Sequence, residues 1–282
     1  MMKKYLSKIL QNEYKLLFKS LNSSRKSSFT IDSLNLTLKK NTPIGKKNEK
    51  LILPLDEIIT PRIFKNEKWD YFIIEFIKKN IKYNNNYFFD IGANVGLVTK
   101  QLQNINLNIK NYFCFEPEIN NFEILKKNLN KNNTYFYNFG LAASNKKANL
   151  FVNNLNKSDN SIYLDNYHVT KNNLLKINLK NSNIILKKII KDKKINHIIY
   201  KSDTQGMDEE IFLNLDKKII DKIYLLILEI SNFNFILKNL NNFLKKLEKF
   251  SLISTENKSN ISLNDLKILI LKKKEFNLLA KK

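Results

Sequence analysis

Several residue types that build particular functional sites are rare in this sequence. Cysteine occurs once, at Cys114, so no disulfide can form within the chain, and a thiol inside an apolar strand is expected to serve packing. The only histidines, His168 and His197, have no further ligand at useful spacing, so we expect no metal site. We also find no Ser/His/Asp or Cys/His arrangement that would indicate nucleophilic catalysis.

Long apolar runs are missing as well. A membrane-spanning helix needs roughly 18 apolar residues, and the longest candidate, 219–230, is interrupted by Asp221 and Lys222. The first residues lack the apolar core of a signal peptide. Together with the single cysteine, these features favour a cytoplasmic protein without a transmembrane segment.

Arginine is nearly absent, although the chain is strongly basic. Lys and Arg total 49 against 26 Asp and Glu, so the net charge is +23, yet only Arg25 and Arg62 are arginines. Such a charge is typical of proteins that bind nucleic acid or anionic membranes. However, a lysine excess beside abundant Asn and Ile is what AT-rich codons produce, and arginine is the better ligand for phosphate and base edges. We favour the compositional explanation and keep a nucleic-acid partner as the alternative.

The length of 282 residues and the hydrophobic content of 43% predict one sizeable core with a small N-terminal region. We place the boundary between residues 1–55 and 56–282. The N-terminal region is predicted to contain a basic amphipathic helix that packs on its own domain or a partner, or lies on a membrane surface. Its predicted parts are the helix Lys3–Leu21, a Ser-rich linker Ser20–Ser28, a strand within Phe29–Leu38 and a loop over Asn41–Lys50.

From Asp56 onward the sequence alternates between strand and helix patterns, which predicts an α/β fold with a parallel sheet covered by helices on both faces. The predicted strands are Tyr87–Phe89, Tyr112–Phe115, Thr134–Asn138, His197–Lys201 and Lys222–Glu229. The predicted helices are Lys68–Lys79, Leu97–Gln103, Glu118–Asn130, Met207–Leu215 and Phe235–Lys249.

Four further apolar segments interrupt or end this alternation. Ala148–Val152 and Leu174–Lys180 are predicted to be extra strands inserted before the fourth strand of the sheet. Phe250–Ser254 and Asp265–Leu271 follow the last long helix with no predicted helix between them. We therefore expect them to form an antiparallel hairpin at the sheet edge.

The segment Tyr87–Gly96 predicts a cofactor site. A buried strand ends at Asp90, and Gly92, Asn94 and Gly96 form a tight loop before a helix. A strand, a glycine loop and a helix N-terminus form a cradle for a polar cofactor. The glycine spacing does not fit a dinucleotide fingerprint, because leucine stands at the sixth position counted from Gly92. An acid followed by Gly at plus two and plus six is instead typical of S-adenosylmethionine-dependent methyltransferases.

Two later segments extend this site. Glu116 ends the next strand, where an acid near a glycine loop can accept both hydroxyls of a ribose, and Pro117 starts the following helix. The small residues of 140–145, which include Leu141 and Ala142, would let an adenine ring approach the backbone. The alternatives are a carboxylate that serves only the helix dipole and a plain turn.

Two more acids end the fourth and fifth strands, where ligands bind in open α/β sheets. Asp203 can contact the methionine amino group, act on a substrate hydroxyl, or simply cap the following helix. Glu229 has the same alternatives.

These segments resemble the FkbM-like family of S-adenosylmethionine-dependent methyltransferases. The resemblance runs from about Asp56 to Leu271, and its 201–208 segment is the most family-specific. The segments that match the family are Asp90–Gly96, Phe115–Pro117, Leu125–Leu129, Gly140–Ser144 and Lys201–Asp208.

The resemblance implies a Rossmann-like class I methyltransferase fold with a mainly parallel seven-strand sheet. It also implies methyl transfer from S-adenosylmethionine, usually to an oxygen of a sugar, glycan or natural product. By position, the loop after the first strand holds the methionine end of the cofactor, Glu116 holds the ribose and Asp203 lies beside the transferred methyl. The predicted cofactor-binding residues are Asp90, Gly92, Ala93, Asn94, Gly96, Glu116, Pro117, Leu141, Ala142 and Asp203; Asp203 and Lys201 are the predicted catalytic residues.

The sequence departs from the family on the substrate side. The family often has Glu where Gln205 and Asp208 stand, Gly where Asn214 stands, and Asp where Lys187 stands. From the acceptors that are usual in the family, we predict O-methylation of a sugar, glycan or related small molecule. The alternatives are an RNA methyltransferase that uses the basic surface, and a non-catalytic binding module that retains the fold.

Overall fold

The computed structural model describes residues 33–153, 156–163 and 174–282. The predicted helix Lys3–Leu21 and linker Ser20–Ser28 lie outside these residues. The strands are β1 (Ser33–Thr37), β2 (Lys50–Pro54), β3 (Asn86–Ile91), β4 (Ile109–Phe115), β5 (Thr134–Tyr137), β6 (Gly140–Ala142), β7 (Lys146–Phe151), β8 (Leu174–Asn181), β9 (Ile198–Ser202), β10 (Ile223–Ile230), β11 (Leu252–Thr255) and β12 (Phe276–Lys281). The helices are α1 (Ile59–Asn66), α2 (Tyr71–Asn80), α3 (Leu97–Asn104), α4 (Ile119–Asn128), α5 (Ser182–Asp192), α6 (Asp208–Asn214), α7 (Lys217–Ile220), α8 (Phe233–Lys238), α9 (Leu240–Leu247) and α10 (Leu263–Leu271).

A seven-stranded sheet forms the centre of this α/β fold, in the order β11-β12-β10-β9-β3-β4-β5. Strands β10, β9, β3, β4 and β5 pair in parallel, and β12 runs antiparallel to both β10 and β11. The predicted mainly parallel seven-stranded sheet with an antiparallel C-terminal edge is therefore confirmed.

Both faces of the central strands are buried, which explains their continuous apolar sequences. Along β3, Phe88 packs into one hydrophobic cluster and Phe89 into the other, because successive side chains point to opposite faces. Helices α2, α3 and α4 cover the Phe88 face, and α6, α8 and α9 cover the Phe89 face. Phe89, Phe113 and Tyr135 also stack across β3, β4 and β5.

The predicted inserted strands are present in a second sheet with the order β6-β8-β7. Helix α5, which the sequence pattern did not predict, follows β8 directly. Asn181 caps α5 by accepting a hydrogen bond from the backbone of Ile184. The insertion thus returns the chain to the main sheet at β9.

The C-terminal prediction was wrong for one segment. Residues 265–271 form most of α10 rather than a strand, and the last edge strand is β12. The helix starts with a capping box, in which Asp265 N donates to Ser262 Oγ at 3.0 Å and Ser262 N donates to Asp265 Oδ2 at 3.1 Å. Leu266 and Ile270 are buried four residues apart, whereas Leu271 is 54% exposed. The predicted helix Phe235–Lys249 is also divided, into α8 and α9.

Strands β1 and β2 pair antiparallel and pack beside the loop that follows β3. Leu51 and Leu53 of β2 are fully buried against Val95 and Leu97. The domain boundary after residue 55 stays a prediction. Within the described residues, every helix is too short or too polar to cross a membrane.

Candidate functional site

A cavity of about 510 Å³ opens at the carboxyl ends of β3, β4, β9 and β10. This volume lies in the range of small-molecule sites, and the strand ends are where open α/β sheets bind ligands. The predicted rim acid Glu229 lines it, and so do eight of the eleven predicted cofactor-binding and catalytic residues: Gly92, Ala93, Asn94, Glu116, Pro117, Leu141, Lys201 and Asp203. The cavity therefore brings together segments that lie far apart in the chain.

The loop after β3 is shaped by two glycines in the left-handed backbone region. Gly92 has φ +74°, and a Cβ atom there would lie 1.8 Å from the carbonyl oxygen of Asp203. Gly96 has φ +85°, and a Cβ atom there would lie 2.7 Å from Leu125 Cδ1 on α4. Gly92 therefore lets the loop after β9 approach, and Gly96 lets α3 pack on α4.

Asn94 joins this loop to the next strand. It also has a positive φ, +50°, a conformation that asparagine tolerates better than most residues. Its backbone N–H donates to Glu116 Oε2 at 2.8 Å, and its Nδ2 donates to the carbonyl oxygen of Lys157 at 2.8 Å. Asn94 thus holds both the acid after β4 and the loop of the inserted segment against the cavity.

Glu116 is fixed through both carboxylate oxygens. Besides the bond from Asn94, its Oε1 accepts from the backbone N–H of Glu118 at 2.9 Å. The side chain is only 6% exposed, and this burial raises the pKa of Glu116 to about 8. Each oxygen accepts one backbone bond and has a second lone pair, so the carboxylate can still accept two hydroxyls.

Lys201 and Asp90 form a buried ion pair beneath the cavity. Lys201 Nζ lies 2.9 Å from Asp90 Oδ1 and donates to the carbonyl oxygen of Gly92 at 2.9 Å. Thr99 Oγ1 donates to the other Asp90 oxygen at 2.6 Å. Burial alone lowers the pKa of Lys201, but the carboxylates of Asp90 and Asp203 raise it above its ordinary value. The lysine therefore stays charged and ties β9 to the glycine loop.

Asp203 presents its carboxylate at the end of β9 with 29% of the side chain exposed. Its Oδ2 lies 3.9 Å from Lys201 Nζ, and its Oδ1 accepts from Gln205 Nε2 at 2.9 Å. Asp203 does not take the predicted helix-capping role, because the N-cap of α6 is Met207 and no side chain caps it; the nearby Asp208 carboxylate accepts from the backbone N–H of Thr204. This arrangement leaves Asp203 directed towards the cavity.

The described residues that line the cavity carry more acids than bases. Burial raises the pKa of Asp70 to about 6 and that of Glu229 well above its usual range, and nearby carboxylates add to both shifts. Such clustering makes the cavity suited to cations and hydrogen-bond donors rather than to polyanions. The acids are Asp70, Glu116, Asp159, Asp203, Glu229 and Glu275, and the bases are Arg62 and Lys201.

The other three predicted site residues do not line the cavity. Asp90, Gly96 and Ala142 are not among the described lining residues. Asp70 and Glu275 are lining residues that sequence reasoning missed, because neither stands in a recognisable motif. In the described part of the chain, no group of three or more His, Cys, Asp or Glu residues is placed to hold a metal ion.

Comparisons with known proteins add an independent finding. The profile of the family described as methyltransferase FkbM domain matches residues 90–250. Among solved structures, a methyltransferase FkbM from Methylobacillus flagellatus KT is similar, with 14% identity and a TM-score of 0.47. The match covers 76% of this chain, which spans 48% of that one. A comparison with curated proteins finds no match.

Proposed function

Because this chain belongs to the methyltransferase FkbM domain family, we propose that it transfers the methyl group of S-adenosylmethionine to a hydroxyl of a sugar, glycan or related small molecule. The observation that carries the proposal is the cavity where the glycine loop, Glu116 and Asp203 meet. We place the protein in the Rossmann-like class I fold and in the cytoplasm, with residues 56–282 as the methyltransferase domain.

The residues at the cavity fit this cofactor. Glu116 would accept the ribose hydroxyls through the free lone pairs of its fixed carboxylate, and Gly140 and Leu141 would lie against the adenine. The loop from Gly92 to Asn94 would hold the methionine end. When bound, S-adenosylmethionine supplies a methyl group whose bond to sulfur breaks, with its electron pair remaining on sulfur, as the acceptor oxygen bonds to the carbon.

Asp203 is the proposed base. Its carboxylate lies at the cavity and is partly exposed, so it can take the proton that the acceptor hydroxyl releases. Lys201 was predicted to be catalytic, and its contacts support a positioning role, because its ammonium holds Asp90 and the carbonyl of Gly92. Since the sulfonium is already activated, positioning the acceptor is the main task left to the protein.

The lining charges favour this proposal over an RNA methyltransferase. The net charge of +23 gives the chain affinity for polyanions, but six of the eight ionisable lining residues in the described part are acids. A phosphate backbone at the cavity would meet repulsion from them. RNA that binds through surface lysines should therefore fail to compete with S-adenosylmethionine, and its binding should weaken steeply with salt.

Calorimetry tests the cofactor assignment. S-adenosylmethionine should bind the wild-type protein at one site, and Glu116→Ala should weaken binding about tenfold or more, because the ribose loses a charged acceptor. Asp192→Ala is the control, since this carboxylate is exposed on α5. No binding to the wild-type protein would contradict the methyltransferase assignment and favour a non-catalytic module.

A further inference from the structure

Gln205 joins the two carboxylates at the ends of β9 and β10. Its Nε2 atom lies 2.9 Å from Asp203 Oδ1 and 3.0 and 3.1 Å from the two carboxylate oxygens of Glu229. A primary amide carries two N–H donors. One hydrogen therefore reaches Asp203, and the other is shared by the oxygens of Glu229.

Hydrogen bonds hold the backbone of the loop that carries Gln205 at three successive residues, 204, 205 and 206. They fix the position from which the Gln205 side chain extends. Gln205 itself has φ +56°, and its carbonyl oxygen accepts from Ser161 Oγ at 2.7 Å. The backbone N–H of Thr204 donates to Asp208, and the carbonyl oxygen of Gly206 accepts from Asn232 Nδ2 at 2.8 Å. A side chain in a rare backbone conformation with this much support indicates a specific task.

The two bridged carboxylates have different surroundings. Asp203 is partly exposed and has Lys201 Nζ 3.9 Å from its Oδ2, although Asp70, Asp208 and Glu275 also face it. Glu229 is 6% exposed, and the acids around it, besides Asp203, are Asp208, Glu209 and Glu275. The remaining charges at the cavity are the Lys201–Asp90 pair, Arg62, Asp159 and Glu116. Burial and the neighbouring carboxylates therefore raise the pKa of Glu229 well above its usual range.

We propose that Gln205 is a positioning residue that holds the carboxylates of Asp203 and Glu229 together by donating an amide hydrogen to each, which offsets their mutual repulsion and fixes Asp203 as the proton acceptor. The inference rests on the proposed methyl transfer. The amide occupies Oδ1 of Asp203, so Oδ2 is the atom that takes the proton from the acceptor hydroxyl, forming an O–H bond as the acceptor's O–H bond breaks. Gln205 does not touch the reacting atoms and acts only through the carboxylates.

A titration that needs no methyl acceptor tests this role. Protein labelled with ¹³C at the glutamate side-chain carboxyl reports the titration midpoint of Glu229, whose signal is assigned with Glu229→Gln. Gln205→Asn keeps an amide and tolerates the positive φ, but it is one methylene shorter and cannot reach both carboxylates. Gln205→Glu removes the donor and adds a third carboxylate. The control is Gln103→Asn. The amide of Gln103, on α3, donates to Thr134 Oγ1 on β5, and neither residue lines the cavity.

We expect the Glu229 midpoint to rise by roughly one pH unit in Gln205→Asn, to rise further in Gln205→Glu and to stay unchanged in the control. A double-mutant cycle that combines the Gln205 variants with Asp203→Asn separates the coupling between Asp203 and Glu229 from a general structural effect. Removing the Asp203 charge should lower the Glu229 midpoint, and more so when Gln205 is also replaced. The proposal would be overturned if the Gln205 variants had the same Glu229 midpoint as the wild-type protein. It would also be overturned if Asp203→Asn lowered that midpoint equally with and without Gln205.

The same titration separates this inference from the proposed function. It uses the free protein, whereas the cofactor assignment is tested by calorimetry with S-adenosylmethionine. A wild-type protein that fails to bind S-adenosylmethionine would overturn methyl transfer while the Glu229 midpoints still report whether Gln205 couples the carboxylates. Normal cofactor binding with unmoved midpoints would overturn only the role of Gln205.

Discussion

A Cβ atom on Gly92 would lie 1.8 Å from the carbonyl oxygen of Asp203. The clash would be with backbone rather than with a flexible side chain, and Gly92 also has φ +74°. We predict that Gly92→Ala destabilises the protein by roughly 1–3 kcal/mol from backbone strain, and by more where the two loops cannot separate. S-adenosylmethionine affinity should fall at least about tenfold, measured by calorimetry on the folded fraction.

Gly45→Ala is the matched control for this prediction. A Cβ atom there would also be close to its neighbours, but those are the ends of the flexible Leu38 and Glu49 side chains, which can move. This variant should bind S-adenosylmethionine like the wild-type protein. Equal losses of affinity at Gly45 and Gly92 would show that loop approach at Asp203 has no special role.

The Lys201–Asp90 pair predicts a large effect on stability. Lys201→Met leaves the carboxylate of Asp90 buried at 0% exposure with the Thr99 hydroxyl but without its cation. Removing one partner of a buried ion pair costs about 3–5 kcal/mol. Urea denaturation should show this loss, and the double variant Asp90→Asn, Lys201→Met should recover much of it, because no buried charge remains.

An exposed ion pair provides the comparison for this experiment. Lys187 and Asp216 pair at the surface with side chains 50% and 42% exposed. Lys187→Met should therefore change the free energy of unfolding by less than about 1 kcal/mol. If Lys201→Met were equally mild, the ammonium would not be needed to hold the loop, and a direct role in catalysis would become the better explanation of its position.

The cofactor side of the site could be predicted because its geometry is encoded locally. A glycine loop between a strand and a helix, followed by an acid after the next strand, places Gly92, Asn94 and Glu116 together in any parallel α/β sheet. Asp70 and Glu275 could not be predicted in this way. They reach the cavity from before α2 and before β12, and no spacing rule relates them to the glycine loop.

The error at the C-terminus has a physical reason. The sequence from Leu266 to Leu271 is almost continuously apolar, and short apolar runs do not distinguish a strand from a buried helix by periodicity. The distinguishing signal was the pair Ser262 and Asp265, spaced as a capping box just before the run. With that signal included, the last strand is correctly expected after 271 instead of within it.

Asn128 links the N-terminal hairpin to the glycine loop. Its Nδ2 donates to the carbonyl oxygens of Ile52 and Val95 at 2.8 and 2.9 Å, and its Oδ1 accepts from Ile52 N at 2.8 Å. Asn128→Ala leaves these backbone groups without their partner in a site that is 3% exposed. We predict a loss of about 3 kcal/mol in urea denaturation, because each buried unsatisfied group costs about 1–3 kcal/mol.

The control for this prediction is two residues further along. Asn130 is exposed, and its side chain accepts only from the backbone N–H of Asn132 at 3.0 Å. Asn130→Ala should change stability by at most about 0.5 kcal/mol. A loss at Asn128 no greater than this would mean that the hairpin is held by apolar packing of Leu51 and Leu53 alone.

Glu116 predicts a pH dependence of cofactor binding. Burial raises its pKa to about 8, so the carboxyl of the free folded protein is largely protonated near pH 6. Ribose hydroxyls that donate to Glu116 favour the ionised form. Affinity for S-adenosylmethionine should therefore rise as the pH increases from 6 to 9, by up to about tenfold per unit below the pKa, with release of a proton on binding.

Glu116→Gln separates this effect from other titrations. The amino group of the ligand also titrates near pH 8, but it does so equally with both proteins. The difference between the two slopes of affinity against pH therefore belongs to Glu116, and calorimetry in buffers of different ionisation heat counts the released protons directly. Parallel slopes for the two proteins would show that the ribose does not bind the ionised carboxylate. The backbone N–H groups of Asn94 and Glu118 would then be the reason for an acid at this position, because they alone would use its two oxygens.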